Sequence, residues 1–259
     1  MPSESGKRKA KRIKSTQITD CQGWTHIVRG PRSRVDHAKD VSSQLQNLRL
    51  GVPLSITQVS AQQENYLQSW TQSQCRRDLQ LTLEDSIFRL SHLYIDNCVC
   101  LGLGSFTSHR ESPKHQLATL FWMLDIIKSK HTIARVILQD PAFTRSDIAY
   151  LEGLGHAVVG TPEAFHAIGR STFLFAPHLE RNVYATALDG EVPAICVGSD
   201  VEALLDQTIS ATEKAKHLQQ NEAFQRFHNA ASSNVFSPYD KDSWWYFTRI
   251  YWQKGSKDT

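Results

Sequence analysis

The chain has 259 residues, 40% of them hydrophobic and 21% charged, with a formal net charge of +3 and a mean hydropathy of −0.39. This is the composition of a water-soluble globular protein of one large domain with extensions, and no run of about 18 apolar residues offers a membrane span. Residues 1–14 hold Lys7, Arg8, Lys9, Lys11, Arg12 and Lys14 against Glu4 alone, so of the chain's 29 cations and 26 acids the remainder keeps 23 and 25, a balance that argues against nucleic-acid binding by the folded part.

Residues 1–20 read as a disordered basic tail. "GKRKAKRIK" admits three readings: a nuclear-import signal, a nucleic-acid arm or a solvated tail. It lacks the apolar segment of a secretory signal. Residues 21–59 form an irregular extension in which Trp24–Gly30 is a short strand ending at Gly30-Pro31. From about Ser60 to Leu93 the spacing is helical. Tyr66, Leu67 and Trp70 recur at one and four, and Leu79, Leu83, Ile87 and Leu90 at three and four, predicting one or two helices that cover a sheet.

Short apolar runs follow at Asn97–Leu103, Ala134–Gln139, Ala157–Val159, Thr172–Ala176 and Ala194–Val197. Helix starts lie between them. Ser112-Pro113 reads as an N-cap followed by proline, with Leu117, Leu120, Phe121, Leu124 and Ile127 on one stripe. "TRSD" (Thr144–Asp147) is a capping-box variant whose helix stops at Gly153-Leu154-Gly155, and Thr161-Pro162 and Ser199-Asp200 open short helices. Alternation of this kind predicts an α/β fold: a Rossmann-like three-layer domain over residues 60–215 with a mostly parallel sheet buried on both faces. Residues 216–259 add an amphipathic helix and the aromatic run "SWWYFTRIYW", expected to pack back on the domain as a satellite core. The other reading of that run is a protein-partner patch.

Ligands of an open parallel sheet bind beyond the carboxyl ends of its strands. The residues at those ends are Gly102, Gly104, Ser105, Thr107 and Ser108, then Asp140-Pro141, Pro177-His178 and Gly198-Ser199. "GLGSFT" supplies G-x-G without a third glycine, and Ser105–Glu111 separate it from the next helix. It is therefore a weak dinucleotide fingerprint, but a loop able to wrap a small nucleotide-like ligand. Asp140 either holds a ribose or caps its own turn. His178 is either a general base or ligand donor, or a histidine bonded to a neighbouring loop. No His or Cys lies at metal spacing from His178, so no metal is expected. The absence of G-x-S-x-G leaves hydrolase chemistry unsupported. The five cysteines show no disulfide or metal spacing; Cys98 and Cys100 share one strand face and read as packing, in a reducing intracellular compartment.

"CLGLGSFTS", the helix with "QLA", "DPAFT", "LEGLG" and "TFLFAPH" together resemble the sensitivity-to-red-light-reduced (SRR1-like) family over about Cys98 to Ser199. The resemblance implies that Gly102, Gly104, Ser105, Ser108, Gln116, Leu117, Ala118, Asp140, Pro141, Phe143, Leu154-Gly155, Pro177 and His178 form its signature. It further implies a regulatory protein of nucleus and cytoplasm, linked to circadian and light signalling, to control of haem biosynthesis, and to stress or cytoskeletal phenotypes, with the flavour of a fungal member. Two positions depart: Leu179 stands where a cysteine often follows Pro-His, and Ser199 where asparagine often follows the glycine. No cofactor is assigned by it. Direct haem binding would have to use His178, His109 or a strand cysteine, because no Cys-Pro dipeptide is present. A methyl-donor transferase, with Gly102–Ser105 on the cofactor and Asp140 on its ribose, is the enzymatic alternative, although Cys100 and Leu101 stand where such enzymes place an acid. A protein-interaction adaptor is the second alternative.

Overall fold

The computed structural model describes residues 15–19, 25–29, 54–84, 88, 93–206, 217–236 and 245–255. The chain divides into two compact units, Met1–Val52 and Pro53–Thr259. In the first, β1 (Ser15–Thr19) pairs antiparallel with β2 (Thr25–Arg29), in register from Ser15↔Arg29 to Thr19↔Thr25. The expected strand after Trp24 is present. Residues 15–19, assigned to a disordered tail, form its partner instead, because "STQIT" alternates and is rich in β-formers once the lysines end. The cationic stretch itself lies outside the described residues.

In the second unit, α1 (Ile56–Gln72) starts at Ser55, whose hydroxyl accepts from the Gln58 amide while the Gln58 side chain returns to the Ser55 N–H. Ser73 is extended and serves as C-cap of α1 and N-cap of α2 (Gln74–Thr82), so the expected helical stretch is two helices with a one-residue joint. Ile87 and Leu90 lie outside the described residues.

The sheet comprises β3 (Asn97–Leu101), β4 (Arg135–Gln139), β5 (Ala157–Val158), β6 (Thr172–Ala176), β7 (Ile195–Ser199), β8 (Ala231–Val235) and β9 (Thr248–Gln253). Its order is β5-β4-β3-β6-β7-β9-β8. The first five run parallel; β9 runs antiparallel between β7 and β8. Between them lie α3 (Ser112–Lys128), α4 (Arg145–Gly153), α5 (Glu163–His166), α6 (Arg181–Leu188), α7 (Val201–Asp206) and α8 (Leu218–Ala230). The fold class is the expected one, α/β and Rossmann-like.

Strand alternation feeds two cores. Cys98, Cys100, Phe173 and Phe175 face α3 and α4, while Val99, Leu101 and Leu174 face α6 and α8. Beyond the predicted stripe, α3 also buries Trp122 and Met123, because α1 packs along its other side, with Trp70 and Trp122 edge to face at 5.8 Å. The helix begins one residue early, at Ser112 itself, so the cap moves back by one. Glu111 takes that position, its carbonyl accepting from Lys114 and His115, and Pro113 falls in the first turn, where its missing N–H costs nothing. The α4 box is as read. Gly155, at φ +79°, closes the helix with its N–H on the Glu152 carbonyl and that of His156 on Leu151, a Schellman arrangement.

The C-terminal segment departs from the satellite core. α8 covers the second face through Ala223, Phe224 and Phe227, and β9 enters the main sheet. Strand β7 would otherwise be an open edge, and "TRIYW" supplies residues able to bury both sides of a strand there. Trp245 packs against Trp70, Phe175 and Phe236, whereas Tyr246 and Phe247 stay 47% and 55% exposed. Among the described residues no helix is long and apolar enough to cross a membrane. Trp245→Ala should therefore destabilise the domain by about 3–5 kcal/mol, while Tyr246→Ala, one residue away, should change it by less than about 1 kcal/mol; urea unfolding of the two variants measures the difference.

Candidate functional site

Because β4, β3, β6 and β7 are parallel neighbours, the segments leaving them meet on one rim in that order. Every predicted site residue lies there: Asp140-Pro141 after β4, Gly102–Ser108 after β3, Pro177-His178 after β6, and Gly198-Ser199 at the end of β7. Adjacent loops are linked in pairs. The Gly104 N–H donates to Asp140 Oδ2 at 2.6 Å, the Leu179 side chain lies on Gly102, and Ser199 Oγ donates to the Pro177 carbonyl at 3.4 Å.

The expected strand to Leu103 stops at Leu101, because Gly102 at φ +69° and Gly104 at φ +79° turn the chain into left-handed backbone, which disfavours side chains. Both positions are also tight. A Cβ on Gly102 would stand 2.3 Å from Leu179 Cδ2, one on Gly104 would stand 3.0 Å from Pro113 Cγ, and one on Gly198 would stand 2.1 Å from the Tyr184 hydroxyl. The protein's own side chains thus fill the space against these three glycines.

The hydroxyls of the loop are engaged locally. Ser108 Oγ donates to the Ser105 carbonyl at 2.7 Å, and Ser105 Oγ and Thr107 Oγ1 lie 3.3 Å apart. Thr107 reaches the N-terminus of α4, its N–H on Asp147 Oδ1 at 3.0 Å and its hydroxyl 2.9 Å from that of Thr144. Phe106 is fully buried between Phe143 and Tyr150, and its carbonyl accepts from Gln62 of α1.

Asp140 uses one oxygen on Gly104 and the other on the Ala142 N–H at 2.7 Å, so it caps its own turn as well as fastening the glycine loop. Burial pushes its carboxyl above the usual carboxylate range, and the two amide bonds oppose that rise. His178 is exposed and Pro177 buried. Among the described residues no group of His, Cys, Asp or Glu has the arrangement to hold a metal ion. Cys98 and Cys100 are fully buried with thiols pushed well up by burial, and Cys196 is pushed up to about 12, so none presents a thiolate.

Three features of the rim escaped the sequence. Asp147, fully buried, accepts from the Thr144 N–H, the Thr144 hydroxyl and the Thr107 N–H; its capping role was legible, its hold on the glycine loop was not. Tyr184 and Tyr251 both donate to the Ser199 carbonyl, at 3.3 and 3.0 Å, and burial raises both phenols. Nothing in the pattern of α6 or β9 signals that convergence. Beside α3, the Tyr66 hydroxyl donates to Glu111, Lys114 pairs with the same carboxylate at 2.9 Å, and His115 meets the Tyr66 ring edge-on at 4.9 Å.

These features define an α/β protein with a Rossmann-like sheet and a rim of interlocked loops. The SRR1 domain family matches residues 71–249, and the chain belongs to that family. No curated protein matches the chain. Among solved structures, a putative O-methyltransferase from Klebsiella pneumoniae is similar at 12% identity and a TM-score of 0.42, covering 83% of this chain and 97% of that one.

Gly102→Ala should lower stability by at least about 1–2 kcal/mol from the left-handed backbone alone. Leu179→Ala in the same chain should recover the steric part of the loss and leave the backbone part, so the double variant is less destabilised than the sum of the singles; denaturant unfolding of all four proteins reads the coupling. A second expectation concerns pH. Burial holds His115, His131 and His156 below the ordinary imidazole value, so their neutral forms are favoured in the folded state. Their stabilising contribution is present above the unfolded value near 6.5 and is lost as pH falls through the depressed values. The melting temperature should drop between pH 7 and pH 5, and less steeply in the triple His→Gln variant.

Proposed function

We propose that this chain is a regulatory protein that reads a small nucleotide-like ligand at the switch point between β3 and β6. The order of the sheet reverses at this pair, and that single observation carries the reading. The segment after β3 leads to α3 on one face, and the segment after β6 leads to α6 on the other. Loops that part in this way leave a crevice over the carboxyl ends, the usual ligand position in open α/β sheets. Gly102–Ser105 and Pro177–Leu179, which meet where the Leu179 side chain lies on Gly102, would form its floor, with Asp140, Pro141, Ser199 and Gly198 flanking and Thr107 and Ser108 at the outer lip. His178 is the exposed side chain placed to meet a ligand, and Asp140 positions the glycine loop. The associations of the SRR1-like family support a regulatory role in nucleus and cytoplasm: circadian and light signalling, control of haem biosynthesis, stress or cytoskeletal behaviour.

An adaptor is the second reading, favoured by the exposed Tyr246–Phe247 pair, whose rings meet edge to face at 4.3 Å. Phe247 sits at φ 59°, a conformation costly for a bulky residue, with its carbonyl accepting from the Asp200 N–H at the same rim.

Thermal shift with S-adenosylmethionine, NAD, ATP and haem tests the proposal. A ligand at 100 times its Kd adds about 2.7 kcal/mol, roughly 5–11 °C for a domain of this size. His178→Ala should melt as the native protein does without ligand and lose most of that shift. A shift specific to S-adenosylmethionine would favour the transferase, and no shift with any of the four would leave the adaptor.

A further inference from the structure

Strand β8 ends the sheet, and two hydrogen bonds fix which way its backbone points. The Phe236 N–H donates to the Thr248 carbonyl at 3.0 Å and the Lys254 N–H to the Ala230 carbonyl at 3.1 Å. With the register Asn234↔Ile250 and Ser232↔Trp252, these make the even-numbered residues of β8 the ones bonded to β9. Ala231, Ser233 and Val235 therefore turn their N–H and C=O groups away from the sheet, without a backbone partner among the described residues. Such an edge is a template for another strand, and proteins usually blunt it with lysine, proline or a bulge. "ASSNV" carries none of these, and Val235 is 52% exposed.

We propose that β8 is a self-association edge, at which a second copy of this chain adds its own β8 antiparallel about a two-fold axis through Ser233. The strand is self-complementary in that register. Ser233 faces Ser233 of the partner subunit, and small Ala231 faces large Val235 in both halves. Ser232 faces Asn234, polar against polar. All three outward residues fall in hydrogen-bonded pairs, which satisfies every outward backbone group of the strand. No residue of β8 is charged, and the Arg249 guanidinium that reaches Ser233 Oγ at 3.4 Å is already paired with Asp200 at 2.7 Å, which offsets the like-charge penalty of bringing two copies of it towards the axis. The interface is isologous and closed, so it gives a dimer with one continuous sheet rather than a fibre. The inference is independent of the ligand reading, since β8 lies at the sheet edge, three strands from β6 and four from β3 across the sheet.

The test uses the full chain. Light scattering after size exclusion should give twice the 29.3 kDa of one chain at micromolar concentration. Val235→Pro removes an outward N–H while leaving the Asn234 and Phe236 bonds to β9, and should weaken dimerisation at least tenfold with little change in melting temperature. Ser233→Cys places two thiols in a hydrogen-bonded pair with Cα atoms about 5.5 Å apart, within disulfide reach, and should cross-link on mild oxidation well above the native background. Asn234→Cys, displaced along the edge from its own copy, should not. A native protein of single-chain mass overturns the proposal. So does a dimer that tolerates Val235→Pro and gives no Ser233→Cys cross-link.

Discussion

Burial of the parallel strands on both faces is the constraint on which the rest of this domain depends. β3, β6 and β7 present apolar side chains to two helical layers, so their polar backbone is satisfied only within the sheet. At the carboxyl rim that ladder ends, and N–H and C=O groups must find other partners. The rim is where Asp140, Asp147, Ser199, Tyr184 and Tyr251 are gathered, each bonded to backbone groups that the strands and helices leave unpaired.

That same need gives the glycines a meaning different from the one a nucleotide fingerprint suggests. Gly102, Gly104 and Gly198 are met closely by Leu179, Pro113 and Tyr184, so the absence of a side chain serves close packing of loop on loop at the first and of helix on loop or strand at the other two. The carboxylate of Asp140 and the leucine at 179 then act as fasteners between neighbouring loops. A ligand at the switch point would bind over this interlocked floor, not within the glycine loop. Its readout would be the relative position of four loops that are already coupled.

The reversed strand β9 is the second structural decision. By lying beside β7 it protects an edge of the parallel sheet, brings Trp245 into the first core and Tyr251 into the second, and transfers the exposed edge to β8. The aromatic density of the C-terminal segment is divided by this insertion. Most of the rings become core, and Tyr246 and Phe247 remain outside at the rim.

Periodicity alone determined five parallel strands, the α3 stripe, the α4 capping box and its glycine stop, because these depend on neighbours within a few residues. The prediction that four turns share a rim followed from the same pattern, since parallel strands must end on one side. Contacts between distant segments lay outside its reach. The antiparallel entry of β9, the Leu179–Gly102 contact, the hold of Asp147 on the loop 40 residues earlier, and the two phenols on the Ser199 carbonyl all join residues whose local sequence is ordinary. Local hydrogen bonding and side-chain period are written in short windows of sequence, whereas which distant surfaces exclude water together is settled only when the whole chain packs.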